Sequence, residues 1–201
     1  MFEQITSWGA VLMVAIASTF ILLGRDWRWS LGLLALQYAA AFLLLLPYWP
    51  LGMASVKLIT GWIAAAALGM TRQSIDSEEP PSRQDRSGSQ PFKLMGVLIS
   101  ILISLAAAPR IESLIPGIGL PLAFGSLMLI SAGLLQLSIT ARLLPVVTGL
   151  LTLLCGFETL YAAVESSILV SGLLAVVDLG LALAGSYLLI NSVKPAQEET
   201  L

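Results

Sequence analysis

Seven apolar stretches dominate the sequence, and each is close to the ~20 residues that a helix needs to cross a bilayer. They lie at 5–24, 29–48, 50–70, 93–109, 117–139, 142–164 and 168–191. Backbone N–H and C=O groups find no water partner in hydrocarbon, so each crossing stretch is expected to be a helix. The Leu-, Ala- and Gly-rich stretches lack the alternation typical of a β-barrel. The sequence therefore predicts an all-α fold, a polytopic transmembrane helical bundle of about seven spans.

The fourth stretch leaves the number of spans open. Pro109 and Arg110 interrupt it after 17 residues, which is the short end of the range for a spanning helix. A bundle of six spans is the alternative if 93–109 does not cross.

Composition agrees with a lipid environment. Only 11% of the residues are charged, against about 25% in soluble domains, and mean hydropathy is +0.91. The bilayer is therefore an expected partner. The net charge of −2 supplies no basic field, so nucleic acid is not expected.

The residue counts also limit the chemistry. The chain has no histidine and a single cysteine, Cys155, so a Cys/His zinc site, haem ligation by His and a Ser-His-Asp triad are excluded within this chain. We expect no cofactor, no metal site and no catalytic site of its own, although membership of an enzyme complex stays open.

Arg and Lys placement predicts the orientation. If the N-terminus lies outside, the inside loops and ends hold eight of the ten basic residues, against Arg110 alone on the other side and Lys57 within a span. Such a bias predicts an N-out, C-in topology. The eight are Arg25, Arg28, Arg72, Arg83, Arg86, Lys93, Arg142 and Lys194.

One hydrophilic stretch divides the chain. Residues 71–92 read TRQSIDSEEPPSRQDRSGSQPF, rich in Ser, Gln, Pro and charges of both signs. Such a segment cannot bury a core and is expected to be a disordered cytoplasmic linker. It separates a three-helix membrane segment, 1–70, from a four-helix membrane segment, 93–201.

Three charged residues lie inside apolar stretches: Lys57, Glu158 and Asp178. An ionisable side chain at the bilayer centre costs about 2.5–3.5 kcal/mol, so it normally faces the bundle interior and has a partner. At about 1.5 Å of rise per residue, Lys57 and Glu158 lie ~10 Å, and Asp178 ~15 Å, from the outer ends of their stretches. All three can share one layer of the bundle.

Two interpretations of this charged layer remain open, a proton relay and a structural ion pair. Burial disfavours charged groups whereas mutual attraction favours them, which can bring protonation states close in energy, as a proton relay requires. The alternative is a buried ion pair that fixes helix register. Gln37 and Gln136 are further polar groups within spans and are expected to hydrogen-bond across helices.

Residues 129–190 resemble the small three-helix K subunit of respiratory complex I and the C subunit of Mrp antiporters. The resemblance rests on a span, a short basic turn (Thr140-Ala141-Arg142) and a Gly-rich helix, GLLTLLCGFETLYAAVE, in which Glu158 stands at the family's glutamate. The next helix, GLLAVVDLGLALAGSYLL, has Asp178 at the position of a second membrane carboxylate.

The whole chain resembles the E subunit of hydrogenase-4-type complexes, which is K-like with additional helices in front. Here Gln37 lies in LGLLALQYAAAFLLLL and Lys57 in MASVKLITGWIAAAALGM, at the positions where that subunit has a glutamine and a lysine. The resemblance implies a K-like three-helix unit at 117–192. It also implies that the chain is a multi-pass protein located in the inner (cytoplasmic) membrane.

The resemblance also implies a function. The chain would be a non-redox membrane-arm subunit of a complex-I-like or hydrogenase-4-like oxidoreductase, assembled with antiporter-like multi-span subunits. Glu158, Asp178 and Lys57 would form a proton or sodium relay, with Gln37 and Arg142 as supporting polar residues. A stand-alone small secondary transporter and a structural membrane assembly subunit are the alternatives.

Overall fold

The computed structural model describes residues 2–24, 26–76 and 90–198, and within these ranges the chain forms seven helices and no strand. The helices are α1 (Phe2–Leu23), α2 (Trp27–Leu45), α3 (Leu51–Asp76), α4 (Gln90–Leu114), α5 (Leu120–Ile139), α6 (Leu143–Tyr161) and α7 (Ile168–Glu198).

Each of the seven helices contains 18 to 25 residues that are apolar enough to cross a bilayer. The fourth does not end at Pro109, because α4 continues through this proline to Leu114. Pro109 has no N–H and gives up one intrahelical hydrogen bond, a loss that membrane helices tolerate where neighbouring groups compensate. The structure therefore confirms the all-α prediction with seven spans and not the alternative of six. The chain is a multi-pass membrane protein.

Two helices extend beyond their apolar stretches into the predicted linker. Helix α3 continues to Asp76 and α4 begins at Gln90, so residues 71–76 and 90–92 are helical. A formed helix gains one hydrogen bond for each residue added, so polar residues can prolong it once it leaves the hydrocarbon. The middle of the predicted linker, 77–89, lies outside the described residues.

The helices form two layers. Helices α1, α2 and α3 lie side by side in one layer, and α4, α5, α6 and α7 follow one another in the second. Between the layers, α1 contacts α4 and α5, α2 contacts α5 and α6, and α3 contacts α7. The stretches on either side of the predicted linker therefore build one bundle with a shared core.

Helices α5 and α6 approach closely at two glycines. A Cβ on Gly133 would lie 2.7 Å from the backbone nitrogen of Leu153, and a Cβ on Gly156 would lie 2.7 Å from that of Ile130. Larger residues there would force the backbones apart. This is the small-residue packing by which membrane helices gain van der Waals contact.

Tyr48 and Trp49, in the short connection between α2 and α3, form hydrogen bonds to two other connections. These contacts lie at one end of the bundle, which we call the Trp49 end. The indole Nε1–H of Trp49 is within hydrogen-bonding distance of Ala162 O (3.1 Å) and Glu165 O (3.3 Å), both in the α6–α7 connection. The hydroxyl of Tyr48 accepts a hydrogen bond from Gly119 N, just before α5, at 2.7 Å. The α2–α3, α4–α5 and α6–α7 connections therefore lie at the same end.

The opposite end, which we call the Arg142 end, holds most of the described basic residues. Arg28, Arg72, Lys93 and Arg142 lie at or near helix termini there, whereas Arg110 lies near the Trp49 end of α4. This asymmetry among the described residues supports the predicted N-out, C-in orientation, with the Trp49 end outside. Arg25, Arg83 and Arg86 and the side chain of Lys194 lie outside the described part of the chain.

Candidate functional site

The three intramembrane charges meet in one buried cluster. The ammonium of Lys57, on α3, donates to Asp178 Oδ2 on α7 at 2.8 Å and also to Glu158 Oε2 on α6. Lys57 is 4% exposed, Glu158 2% and Asp178 0%. The predicted shared layer is confirmed as a geometric fact, because one nitrogen contacts both carboxylates.

The helix termini explain where the cluster lies. Lys57 is in the second turn of α3, Glu158 is in the last turn of α6, and Asp178 is ten residues into α7. Each of these three positions is counted from the helix terminus that lies at the Trp49 end of the bundle. Ten residues of helix correspond to about 15 Å, so the cluster lies between the Trp49 end and the middle of the bundle.

Tyr38 is a fourth member of the cluster, and the sequence did not reveal it. Its hydroxyl donates to Asp178 Oδ2 at 3.2 Å, a shorter contact than the 3.4 Å to Leu151 O. The Lys57 ammonium lies 4.8 Å from the centroid of the Tyr38 ring, within the range of a cation–π interaction. Tyr38 thus contacts both the base and one acid.

The charges in the cluster do not balance. With every group ionised, one ammonium faces two carboxylates, which leaves a formal charge of −1. Glu158 Oε1 and Asp178 Oδ1 have no hydrogen-bond partner among the described residues. The cluster is neutral only when it holds one additional proton or monovalent cation. The neutral state is favoured because an uncompensated charge in a low-dielectric interior costs several kcal/mol.

A second buried polar network lies beside the cluster. Gln37 Nε2 donates to Ser18 Oγ on α1 at 2.9 Å, and Thr152 Oγ1 on α6 donates to Gln37 Oε1 at 3.0 Å. Gln136 Nε2 on α5 donates to Thr148 Oγ1 on α6 at 2.7 Å. The expectation that both glutamines hydrogen-bond across helices is therefore confirmed.

These polar side chains continue from the cluster along α6 toward the Arg142 end. Thr152 lies six residues before Glu158 and Thr148 ten, which is about 9 and 15 Å of helix. Thr148 and Thr152 are each 1% exposed, and Gln37 is also 1% exposed. Buried hydrogen-bonding groups therefore extend across most of the bundle.

Arg142 is not brought to the cluster. It is exposed and precedes the first residue of α6, sixteen residues from Glu158 or about 24 Å of helix. Its backbone N–H donates to Thr140 Oγ1 at 3.4 Å. The structure places it at the Arg142 end of the bundle, away from the predicted relay residues.

The described residues contain no group of three or more His, Cys, Asp or Glu side chains placed to hold a metal ion. Cys155 is completely buried in the core. No protein-family model, curated protein or solved structure matches the chain.

Proposed function

We propose that this chain is a non-redox membrane subunit that contributes Lys57, Glu158 and Asp178 to the translocation of protons or sodium ions. The observation that carries the proposal is the buried lysine that contacts two carboxylates at once. A purely structural ion pair needs one acid. The second acid gives the cluster a place for one more positive charge.

The geometry allows a balanced proton step. When Glu158 holds the additional proton, the Lys57 ammonium can give a proton to Asp178 Oδ2 and take the one from Glu158. Glu158 is then ionised, Lys57 is again an ammonium, and Asp178 is neutral. The total charge does not change, and no group needs to move by more than a hydrogen-bond length.

The second polar network supports a continuation of this path. Hydroxyl and amide groups of Gln37, Thr152 and Thr148 lie buried on the side of the cluster toward the Arg142 end. A hydroxyl group both donates and accepts, so such groups can pass a proton along a hydrogen-bonded chain. No hydrogen bond among the described residues joins Thr152 to the cluster directly, so the cluster and the network would be two separate sections of a polar path through the bundle.

The resemblance to the K subunit of complex I and to the E subunit of hydrogenase-4-type complexes suggests the setting. We propose that the chain belongs to the membrane arm of such a complex in the inner (cytoplasmic) membrane, beside antiporter-like multi-span subunits. Electron transfer would occur in other subunits. The chain would supply one section of the ion path.

Ion movement by the reconstituted complex tests the relay. Asp178→Asn keeps the shape of the side chain and removes its charge, so we expect assembly to be retained and ion uptake into the vesicles to be lost. Uptake is followed with a pH-sensitive dye and, in parallel, with a sodium tracer. Uptake at the wild-type rate by assembled Asp178→Asn complex would remove Asp178 from the path.

Mild solubilisation and affinity purification test the setting. An arm subunit should carry large multi-span partners through purification. A chain that purifies alone and still moves ions when reconstituted would instead be a stand-alone secondary transporter. A chain that retains its partners, with ion uptake unaffected by neutralisation of either acid, would be a structural assembly subunit.

A further inference from the structure

A small, partly enclosed cavity lies between the cluster and the Trp49 end of the bundle. Its walls come from α3, α6, α7 and the connection before α3, and include Trp49, Lys57, Glu158, Ser171 and Ala175. The volume open to the centre of a water molecule is about 10 Å³, on the order of what one water needs.

The cavity is polar where it meets the cluster. Glu158 is 2% exposed, and its Oε1 has no hydrogen-bond partner among the described residues. The Lys57 and Ser171 side chains line the same space. A buried water normally makes two to four hydrogen bonds, and these three side chains can provide them. The rest of the lining, which includes Val56 and Leu174, is mostly apolar, so a water or hydronium would be held against the polar side formed by these three side chains.

The two carboxylates have different relationships to the cavity. Glu158 is in its wall, whereas Asp178 is not among the lining residues and is completely buried. Asp178 contacts the cavity side of the cluster through Lys57 Nζ, at 2.8 Å. A proton in the cavity therefore meets Glu158 before Asp178.

The cavity is also shallow. Ser171 lies three residues after the first residue of α7, about 4.5 Å of helix from the Trp49 end. Trp49, whose indole is hydrogen-bonded to the α6–α7 connection, belongs to the wall as well. The cavity therefore lies between the Trp49 end of the bundle and the buried charges.

We propose that this cavity is a water or hydronium site through which Glu158, rather than Asp178, exchanges protons with the aqueous phase at the Trp49 end. The inference rests on the proposed function, since it assigns an order to the two relay carboxylates. Glu158 is the carboxylate on the Trp49 side, and Asp178 receives its proton through Lys57 Nζ, which contacts both acids.

Cysteine accessibility tests the site. Cys155 is the only cysteine of this chain, so the complex with Cys155→Ala is the background against which each added thiol is measured. Ser171→Cys and Ala175→Cys are added one at a time and exposed, in sealed vesicles, to Ag⁺ from each side separately, because Ag⁺ reacts with thiolates and is no larger than a water molecule. Leu173→Cys is the matched control, because Leu173 lies at a similar depth on α7 and is 64% exposed on the apolar surface.

Thiolates form only where water reaches, so we expect Ser171→Cys to react at least about tenfold faster than Leu173→Cys, and only from the Trp49 side. Ala175→Cys, one turn deeper, should react more slowly with the same sidedness. Modification should also block ion uptake. Reaction of both variants no faster than Leu173→Cys, or equal reaction from both sides, would overturn the proposal.

The labelling does not depend on transport, so the two proposals can fail separately. A cavity that labels from the Trp49 side in a complex whose ion uptake survives Glu158→Gln would remove the relay and the proton exchange assigned to Glu158. A cavity that does not label, in a complex whose uptake is lost in Glu158→Gln, would remove only the access route.

Discussion

Tyr38 and Gly61 interlock: a Cβ at position 61 would lie 2.0 Å from Cγ of the Tyr38 ring. Gly61 is one helical turn beyond Lys57 on α3, so the missing side chain leaves room for the ring beneath the ammonium. Tyr38 in turn donates to Asp178. Because Gly61 has no side chain, it leaves the space for a ring that contacts both a base and an acid.

Gly61→Ala should damage the cluster. The added methyl overlaps the Tyr38 ring, and overpacking of this kind costs about 1–3 kcal/mol. We expect a lower unfolding free energy in mixed SDS micelles and reduced ion uptake. Gly52→Ala, on the same helix, is the control, because a Cβ there meets nothing within 4 Å. If both variants behave as wild type, the ring does not depend on Gly61.

Tyr38→Phe should separate the hydroxyl from the ring. The ring stays against Lys57, but Asp178 Oδ2 loses a donor at 3.2 Å. Buried hydrogen bonds in membrane proteins contribute about 0.5–2 kcal/mol, and we expect a loss of that size together with slower ion uptake. Tyr187→Phe, at a residue that is 67% exposed, should change neither measurement. Equal behaviour of the two variants would leave the Tyr38 hydroxyl without a role.

Lys57→Met should be the most destabilising single change in the cluster. It leaves two buried carboxylates without their shared cation, and breaking a buried ion pair costs about 3–5 kcal/mol. Neutralising both acids as well, in Lys57→Met/Glu158→Gln/Asp178→Asn, should restore much of the unfolding free energy while ion uptake stays lost.

Lys93→Met, at the start of α4, is the control for loss of a lysine. We expect its unfolding free energy to stay within about 0.5 kcal/mol of wild type. If Lys57→Met is no more destabilising than this control, the ammonium does not compensate the two acids.

Trp49→Phe should loosen the Trp49 end. The indole N–H lies 3.1 Å from Ala162 O and 3.3 Å from Glu165 O, and phenylalanine cannot donate to either. We expect faster hydrogen–deuterium exchange in residues 162–167 with little change at the Arg142 end. Trp29→Phe, at a residue that is 71% exposed, provides the comparison. Unchanged exchange in 162–167 would show that the indole hydrogen bonds do not hold this connection.

Much of the architecture could be predicted because the bilayer imposes it. Apolar stretches near 20 residues specify helices, and a charge inside one of them needs a partner. Counting helix rise from one end predicts that Lys57, Glu158 and Asp178 share one layer, and the structure brings them into contact.

Helix ends were harder to predict than helix identity. Hydropathy marks where the hydrocarbon ends, but the backbone hydrogen bonds of α3 continue to Asp76 and those of α4 run past Pro109. At the other extreme, α2 ends at Leu45, three residues before the end of its apolar stretch. Polarity and helix geometry are separate constraints, and the sequence pattern reports mainly the first.

The finer parts of the site depend on helix rotation, which an apolar pattern does not define. Apolar residues occur on all sides of α2, so nothing in the sequence distinguishes Tyr38 from the aromatic residues that merely fill space. Its role comes from the rotation of α2 against α3, which places its ring against Gly61 and its hydroxyl beside Asp178. The same reason hides the link between Ser18 and Gln37, whose helices are packed side by side.

Ion uptake by the reconstituted complex carrying Glu158→Gln tests the central claim most directly. The matched control is Glu165→Gln, a neutralised glutamate that is exposed in the connection just beyond α6. With electron transfer measured in the same vesicles, we predict that Glu158→Gln assembles but loses ion uptake, while Glu165→Gln retains both. Wild-type uptake by assembled Glu158→Gln complex would contradict a relay through this cluster.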